Sequence, residues 1–282
     1  MTEFFEAVRH YPFMRYALVA GVLASVACGV VGTYVVARRI TFIAGSVAHF
    51  ILGGLGAAFY LQRAKGWSFM EPLYGAVFAA LLGAAIIGWV SLKARQREDT
   101  VIGALWAIGM AVGILFISRT PGYNADLMSY LFGNILMVAP RDLWLMGGLD
   151  AVVLVVAFLF HKQIQAVCFD EEFARLRGLR VEFYFLLLLG LTALTVVLLV
   201  AVVGVVMVIA LLTLPVAVAG HFSRTLGQMM GLSILLSVVF TTAGLAASYQ
   251  PDLPAGATII VIAGAAYLAV AVGSGLLRRR RI

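Results

Sequence analysis

Two side chains in otherwise apolar runs could do chemistry. His49 sits in "SVAHFILGGLGAAFYL", residues 46–61. Neutral imidazole is the commonest ligand for borderline metals such as zinc, and it also binds manganese and iron. It can lend a lone pair to a cation without the full penalty of a buried charge. On spacing alone, a lone histidine reads first as a hydrogen-bonded core residue and second as a ligand. Asp150 lies in "LWLMGGLDAVVLVVAFLF", eight residues after Asp142, or about 12 Å of helical rise. A carboxylate at that depth costs on the order of a few kcal/mol unless it meets water or a partner. It is therefore either a functional group or a carboxyl that is protonated, or bonded to a neighbouring hydroxyl, with no role in transport. Of the other histidines, His221 ends a span, and His10 and His161 read as surface residues at helix ends. Cys28 within a span and Cys168 in a polar linker lack metal-ligand spacing and form no disulfide framework, so both are expected to pack as small apolar groups.

The elements that must hold these groups are membrane helices. Of the 282 residues, 63% are apolar and 12% charged, and the mean hydropathy is +1.05. Several runs reach the roughly 20 apolar residues that a helix needs to cross a bilayer, and they lack the alternation of barrel strands. The expected fold is all-α, a polytopic integral membrane protein with a single domain over residues 1–282. Spans are expected near 16–37, 41–62, 72–92, 101–118, 143–161, 183–203, 205–221, 227–248 and 257–277. The count is eight or nine, because residues 183–219 are continuously apolar and Gly204 is the natural turn. With nine spans and the amino terminus outside, Arg38, Arg39, Lys93, Arg95, Arg97, Lys162, Arg175, Arg177, Arg180, Arg224 and Arg278–Arg281 collect on one side. Arg9, Arg15, Arg63, Lys65, Arg119 and Arg141 fall on the other. The richer side, with the carboxyl terminus, is cytoplasmic by the positive-inside rule. No cleavable signal is evident before the first span, so the spans themselves are expected to direct insertion. Basic residues scattered in this way are topology signals, which excludes nucleic acid as a partner. Gly53, Gly54, Gly56, Gly83, Gly88, Gly109 and Gly113 are expected to permit close helix packing.

One connection differs from the rest. In "CFDEEFARLRGLRVEF", Asp170 can cap a helix whose first turn holds Glu171 and Glu172, while Arg175 and Arg177 come late, as the macrodipole favours. Gly178 then stops it. A short amphipathic helix, about residues 168–178, with Phe173, Leu176 and Leu179 as apolar groups, needs the lipid interface or a partner protein to lie against. The chain has no GxxxxGK[ST], HExxH or GxSxG, so neither ATP hydrolysis through a P-loop nor hydrolytic chemistry is expected of it.

Taken together, five collinear stretches resemble the permease subunit of bacterial ABC importers for zinc, manganese and iron: residues 11–59, "DLMSYLFGNIL" (126–136), "FDEEFARLRGL" (169–179), residues 202–230 and "SYQPDLPAGATIIV" (248–261). The resemblance implies a multi-pass homodimer in the bacterial cytoplasmic membrane, joined to two cytoplasmic ATP-binding subunits and fed by an extracytoplasmic metal-binding protein. No cofactor is implied; the metal is cargo, with zinc first and manganese or iron next. Asp170, Glu171, Glu172, Phe173, Ala174, Arg175 and Gly178 correspond to the family's segment that couples to the ATPase, and His49 to a pathway ligand. Where the family commonly carries an aspartate one turn before this histidine, the chain has Gly45. It has Asn134 where an aspartate is common, and Gln250 where a histidine is frequent. Asp150 is the expected source of the missing carboxylate. The competing expectations are a permease for metal chelates, and a secondary carrier or channel that relays protons between Asp150 and His49.

Overall fold

In a computed structural model, residues 2–67, 69–93, 98–121, 133 and 135–279 are described. Most of "DLMSYLFGNIL", Asn134 included, lies outside them. The described chain is helical, without a strand. A short amphipathic α1 (Thr2–His10) leads into α2 (Pro12–Ala37), α3 (Thr41–Ala64), α4 (Pro72–Lys93) and α5 (Glu98–Ser118). A single 3-10 turn (Ile135–Met137) precedes α6 (Pro140–Phe169), α7 (Glu171–Leu176), α8 (Val181–Val203), α9 (Val205–Phe222), α10 (Leu226–Tyr249) and α11 (Ala255–Arg279). Among the described residues nine helices, all but α1 and α7, are long and apolar enough to cross a membrane.

Breakers set the ends. Pro12 and Pro140 open α2 and α6 at positions where a missing N–H costs nothing. Arg39, at φ 62°, turns the chain between α2 and α3. The division of the long apolar stretch falls at Gly204, whose φ of 85° and ψ of 159° suit glycine alone. This turn never reaches the surface: Val203 and Val205 are both fully buried. Gly133 lies across it so closely that a Cβ there would stand 2.2 Å from the Val203 carbonyl carbon. Thus α8 and α9 form an internal hairpin, with Gly133 packed against its turn.

The helix α2 is central, packed on α6, α8, α9 and α10, while α3 packs on α4, α5 and α8. The pair α3 and α5 run parallel in fixed register. Ser46 Oγ donates to the Ile102 carbonyl at 2.8 Å, and Gly53 and Gly56 lie against the backbone of Gly109 and Gly113. Between α3 and α4 the approach is closer still. A Cβ on Gly54 would meet the Gly75 carbonyl oxygen at 2.1 Å, and one on Gly75 the Gly54 oxygen at 2.3 Å. Because backbone stands on both sides, neither can yield as a side chain would. Gly54→Ala is accordingly expected to destabilise the bundle by about 1–3 kcal/mol, the usual cost of overpacking; a melting temperature in detergent indistinguishable from that of the parent would contradict this.

One boundary differs from expectation. The fifth span does not end near residue 161 but continues to Phe169, because "HKQIQAVCF" contains no breaker and Asp170 is the first residue to turn extended, at φ −152° and ψ 102°. Cys168 is therefore a buried helical residue and not part of a linker. The short helix that follows is correspondingly only Glu171–Leu176, not 168–178.

Candidate metal pathway and coupling site

His49 is carried by α3 and is 8% exposed. Its imidazole stacks on the indole of Trp106 from α5, with centroids 4.2 Å apart and planes inclined by 15°. Its Nδ1 is buried and has no hydrogen-bond partner among the described residues. No hydrogen bond from them holds the ring at this nitrogen, which remains available to an acceptor or a cation. Gly45, one turn earlier, faces the same neighbour: a Cβ there would lie 3.6 Å from Trp106 Cζ3.

Asp150 is carried by α6 and is 6% exposed. It faces the α2 backbone at Ala27, and its Oδ2 is buried without a partner among the described residues. Each of the two groups is thus a buried polar side chain with an unsatisfied atom, which in a membrane interior calls for an explanation. They are not brought into one ligand set. His49 belongs to the α3–α5 contact and Asp150 to the α2–α6 contact, and among the described residues no group of three or more His, Cys, Asp or Glu could hold a metal ion. A crevice of about 340 Å³ between α3, α4, α6 and α8 has Leu55, Phe59, Met146 and Val197 on its walls, with Glu71, Arg141 and Asp142 also lining it.

At the other end of the bundle stands α7. The Asp170 carboxylate caps it, Oδ1 accepting from the Phe173 N–H at 2.9 Å, and Gly178, at φ 78°, turns the chain away. Ala174 is fully buried against Val167 and Val181 and seats the helix on the ends of α6 and α8. Phe173 and Leu176, by contrast, point outward at 49% and 88% exposure. The Arg177 guanidinium lies over the Phe173 ring, 4.7 Å from its centroid, and Arg175 donates to Glu182 at 2.9 Å. Among its apolar groups this helix buries a small one and leaves the larger ones exposed.

Long-range contacts tie α7 to α2. Arg38, just past the end of α2, forms an ion pair with Glu171, and its guanidinium also sits 5.4 Å from the centroid of the Phe185 ring. One turn earlier, Tyr34 is fully buried, and its hydroxyl shares a 2.8 Å hydrogen bond with His161 Nδ1. Cys168 Sγ approaches the Tyr34 carbonyl at 3.9 Å. His161 is therefore no free surface residue; it joins α6 to α2 within the span. His221 behaves more locally, Nδ1 lying 2.9 Å from the Ala217 carbonyl of its own helix. Spacing in the sequence pointed to Asp170 and Gly178. It offered no sign of Tyr34 or Trp106, whose partners are far away along the chain, and for Arg38 only a basic pair directly after a span.

The same order of elements is found in known proteins. The family model described as the ABC 3 transport family matches residues 10–274. A membrane protein of Synechocystis sp. is 45% identical over 268 residues, 95% of this chain and 93% of the relative. The manganese transport system membrane protein MntC of Halalkalibacterium halodurans is 32% identical, over 93% of this chain and 88% of the relative. Among solved structures, PsaBC from Streptococcus pneumoniae in complex with Fab contains a chain that superposes with a TM-score of 0.84 at 29% identity, covering 95% of this chain and 94% of that one.

Proposed function

This chain belongs to the ABC 3 transport family, and from that premise we propose that it is the membrane-spanning permease of an ATP-driven importer for a divalent metal. Two copies form the conduit, two cytoplasmic ATP-binding subunits drive it, and an extracytoplasmic metal-binding protein delivers the cargo. The assembly lies in the bacterial cytoplasmic membrane with the amino terminus outside. Manganese is the proposed cargo, supported by the name of the Halalkalibacterium relative. Zinc, which the resemblance in sequence placed first, is the alternative that a transport assay must separate.

The observation that carries this function is α7. It is a capped helix at one end of the bundle with its apolar groups turned outward, in a chain with no nucleotide-binding motif of its own. Docked in a groove of the ATPase, Phe173 and Leu176 would be covered, and closure of the ATPase pair would be transmitted to α6 and α8. Alternating access then follows as a two-state equilibrium that nucleotide biases. His49 and Asp150 are the proposed pathway groups. His49 offers a neutral lone pair to a cation that is shedding water, and Asp150 offers charge on a separate helix face.

Reconstitution with the partner ATPase in proteoliposomes tests this. Uptake of manganese, zinc and iron is expected to require ATP, with manganese fastest. Downhill flux through the chain without its ATPase would favour the carrier reading and contradict the permease.

A further inference from the structure

The residues around His49 hold a consequence for which cations can bind there. Gly45 and His49 are one turn apart and so project from the same face of α3. Trp106 covers both. It stacks on the imidazole at 4.2 Å, and its Cζ3 lies 3.6 Å from the place of a Gly45 Cβ. At 3.6 Å a Cβ fits in ordinary contact, so the backbone leaves room for a side chain at position 45. The indole edge is the nearest neighbour of that Cβ, with Ile209 Cδ1 next at 3.9 Å. The indole itself is held in place, because α5 cannot slide along α3. Ser46 is bonded to the Ile102 carbonyl at 2.8 Å, and a Cβ on Gly109, three residues after Trp106, would already lie 2.4 Å from Phe50 Cα.

We propose that Trp106 is the positioning and selectivity residue of the His49 step: it orients the imidazole by stacking and keeps any second protein donor off the Gly45 side. A cation at this level then meets one protein nitrogen and retains much of its water shell. Such a step is weak and easily left, as a conduit requires. The proposal rests on the reading of His49 as a pathway ligand, and its test separates the two.

The test is binding of manganese or zinc to the detergent-purified full chain, measured by calorimetry. It compares the parent, H49A, W106F, W106L, W106A, G45D and G45D/W106A, each checked for an unchanged elution volume and melting curve. W106F keeps a ring that can stack and is expected to bind more tightly than W106A and W106L, which keep none. G45D alone is expected to gain little, because its carboxylate cannot pass the indole. G45D/W106A is expected to bind zinc at least ~tenfold more tightly than G45D, on the scale by which groups around a metal alter its affinity, and to lose that gain when H49A is added. If W106A fails to fold, G45D/W106L, which keeps apolar volume without a ring, is expected to show the same gain. Equal affinity of G45D and the double variant overturns the role of Trp106 while leaving His49 a ligand. Parent binding that H49A does not change overturns both.

Discussion

Replacing Glu171 with lysine is expected to lower ATP-dependent metal uptake at least ~tenfold while leaving the protein folded, and pairing it with Arg38→Glu is expected to restore a substantial part. The ion pair is partly open to solvent, with the two side chains 23% and 38% exposed, and such pairs contribute only about 0–1 kcal/mol to stability. The melting temperature should therefore barely move. Coupling is a different matter, because reversal sets a lysine beside the Arg38 guanidinium, whose Nε is already buried without a partner. Like charges there would force α7 away from the end of α2 and break the proposed link between the ATPase and the central helix. ATPase activity of the assembled complex should persist while uptake falls, and the ratio of ions moved to ATP hydrolysed is the quantity to measure. Recovery in the charge-swapped double variant would tie the effect to this pair. If both variants transport normally, α7 is not the coupling element.

His49→Ala is expected to have a comparably large effect at the other site, reducing metal uptake at least ~tenfold with ATPase assembly intact. The imidazole is 8% exposed and its Nδ1 has no partner among the described residues, so no hydrogen bond at that nitrogen is lost with it. Some destabilisation follows from the empty space left against Trp106, which makes a melting curve the necessary control. Asp150→Asn is the matched experiment. It keeps shape and removes charge, so a role confined to packing predicts normal uptake, and a role in cation passage predicts loss. The expected result is loss in both variants with binding of the ATPase subunit retained. Uptake equal to that of the parent in both would remove His49 and Asp150 from the pathway together.

Much of the architecture was legible because membrane helices announce themselves locally. Hydropathy alone marked the nine long apolar helices found among the described residues, though it left the count at eight or nine, and the turn fell at Gly204, as expected for an apolar run too long for one crossing. The cap at Asp170 and the stop at Gly178 were legible for the same reason, since both depend on residues within one turn. The end of α6 was misplaced because polar residues such as His161, Lys162 and Gln163 look like a loop but are good helix residues when one face stays apolar. The site was less legible. His161 with Tyr34, Arg38 with Glu171 and Trp106 with His49 join residues tens to more than a hundred positions apart, and no period in the sequence encodes such pairings. What distinguishes His49 from an ordinary core histidine is a missing partner at Nδ1, a property only the folded chain possesses.

The parallel register of α3 and α5 bears on how the protein is made. Until α5 emerges from the ribosome, Ser46 lacks the Ile102 carbonyl and His49 lacks its aromatic cover. The intervening α4 must cross back before α5 can take its place. Residues 41–118 are thus the shortest nascent stretch able to shelter this polar face from lipid, and truncations ending between 93 and 98 should linger at the insertion machinery or be degraded, whereas those ending beyond 118 should be released into the bilayer.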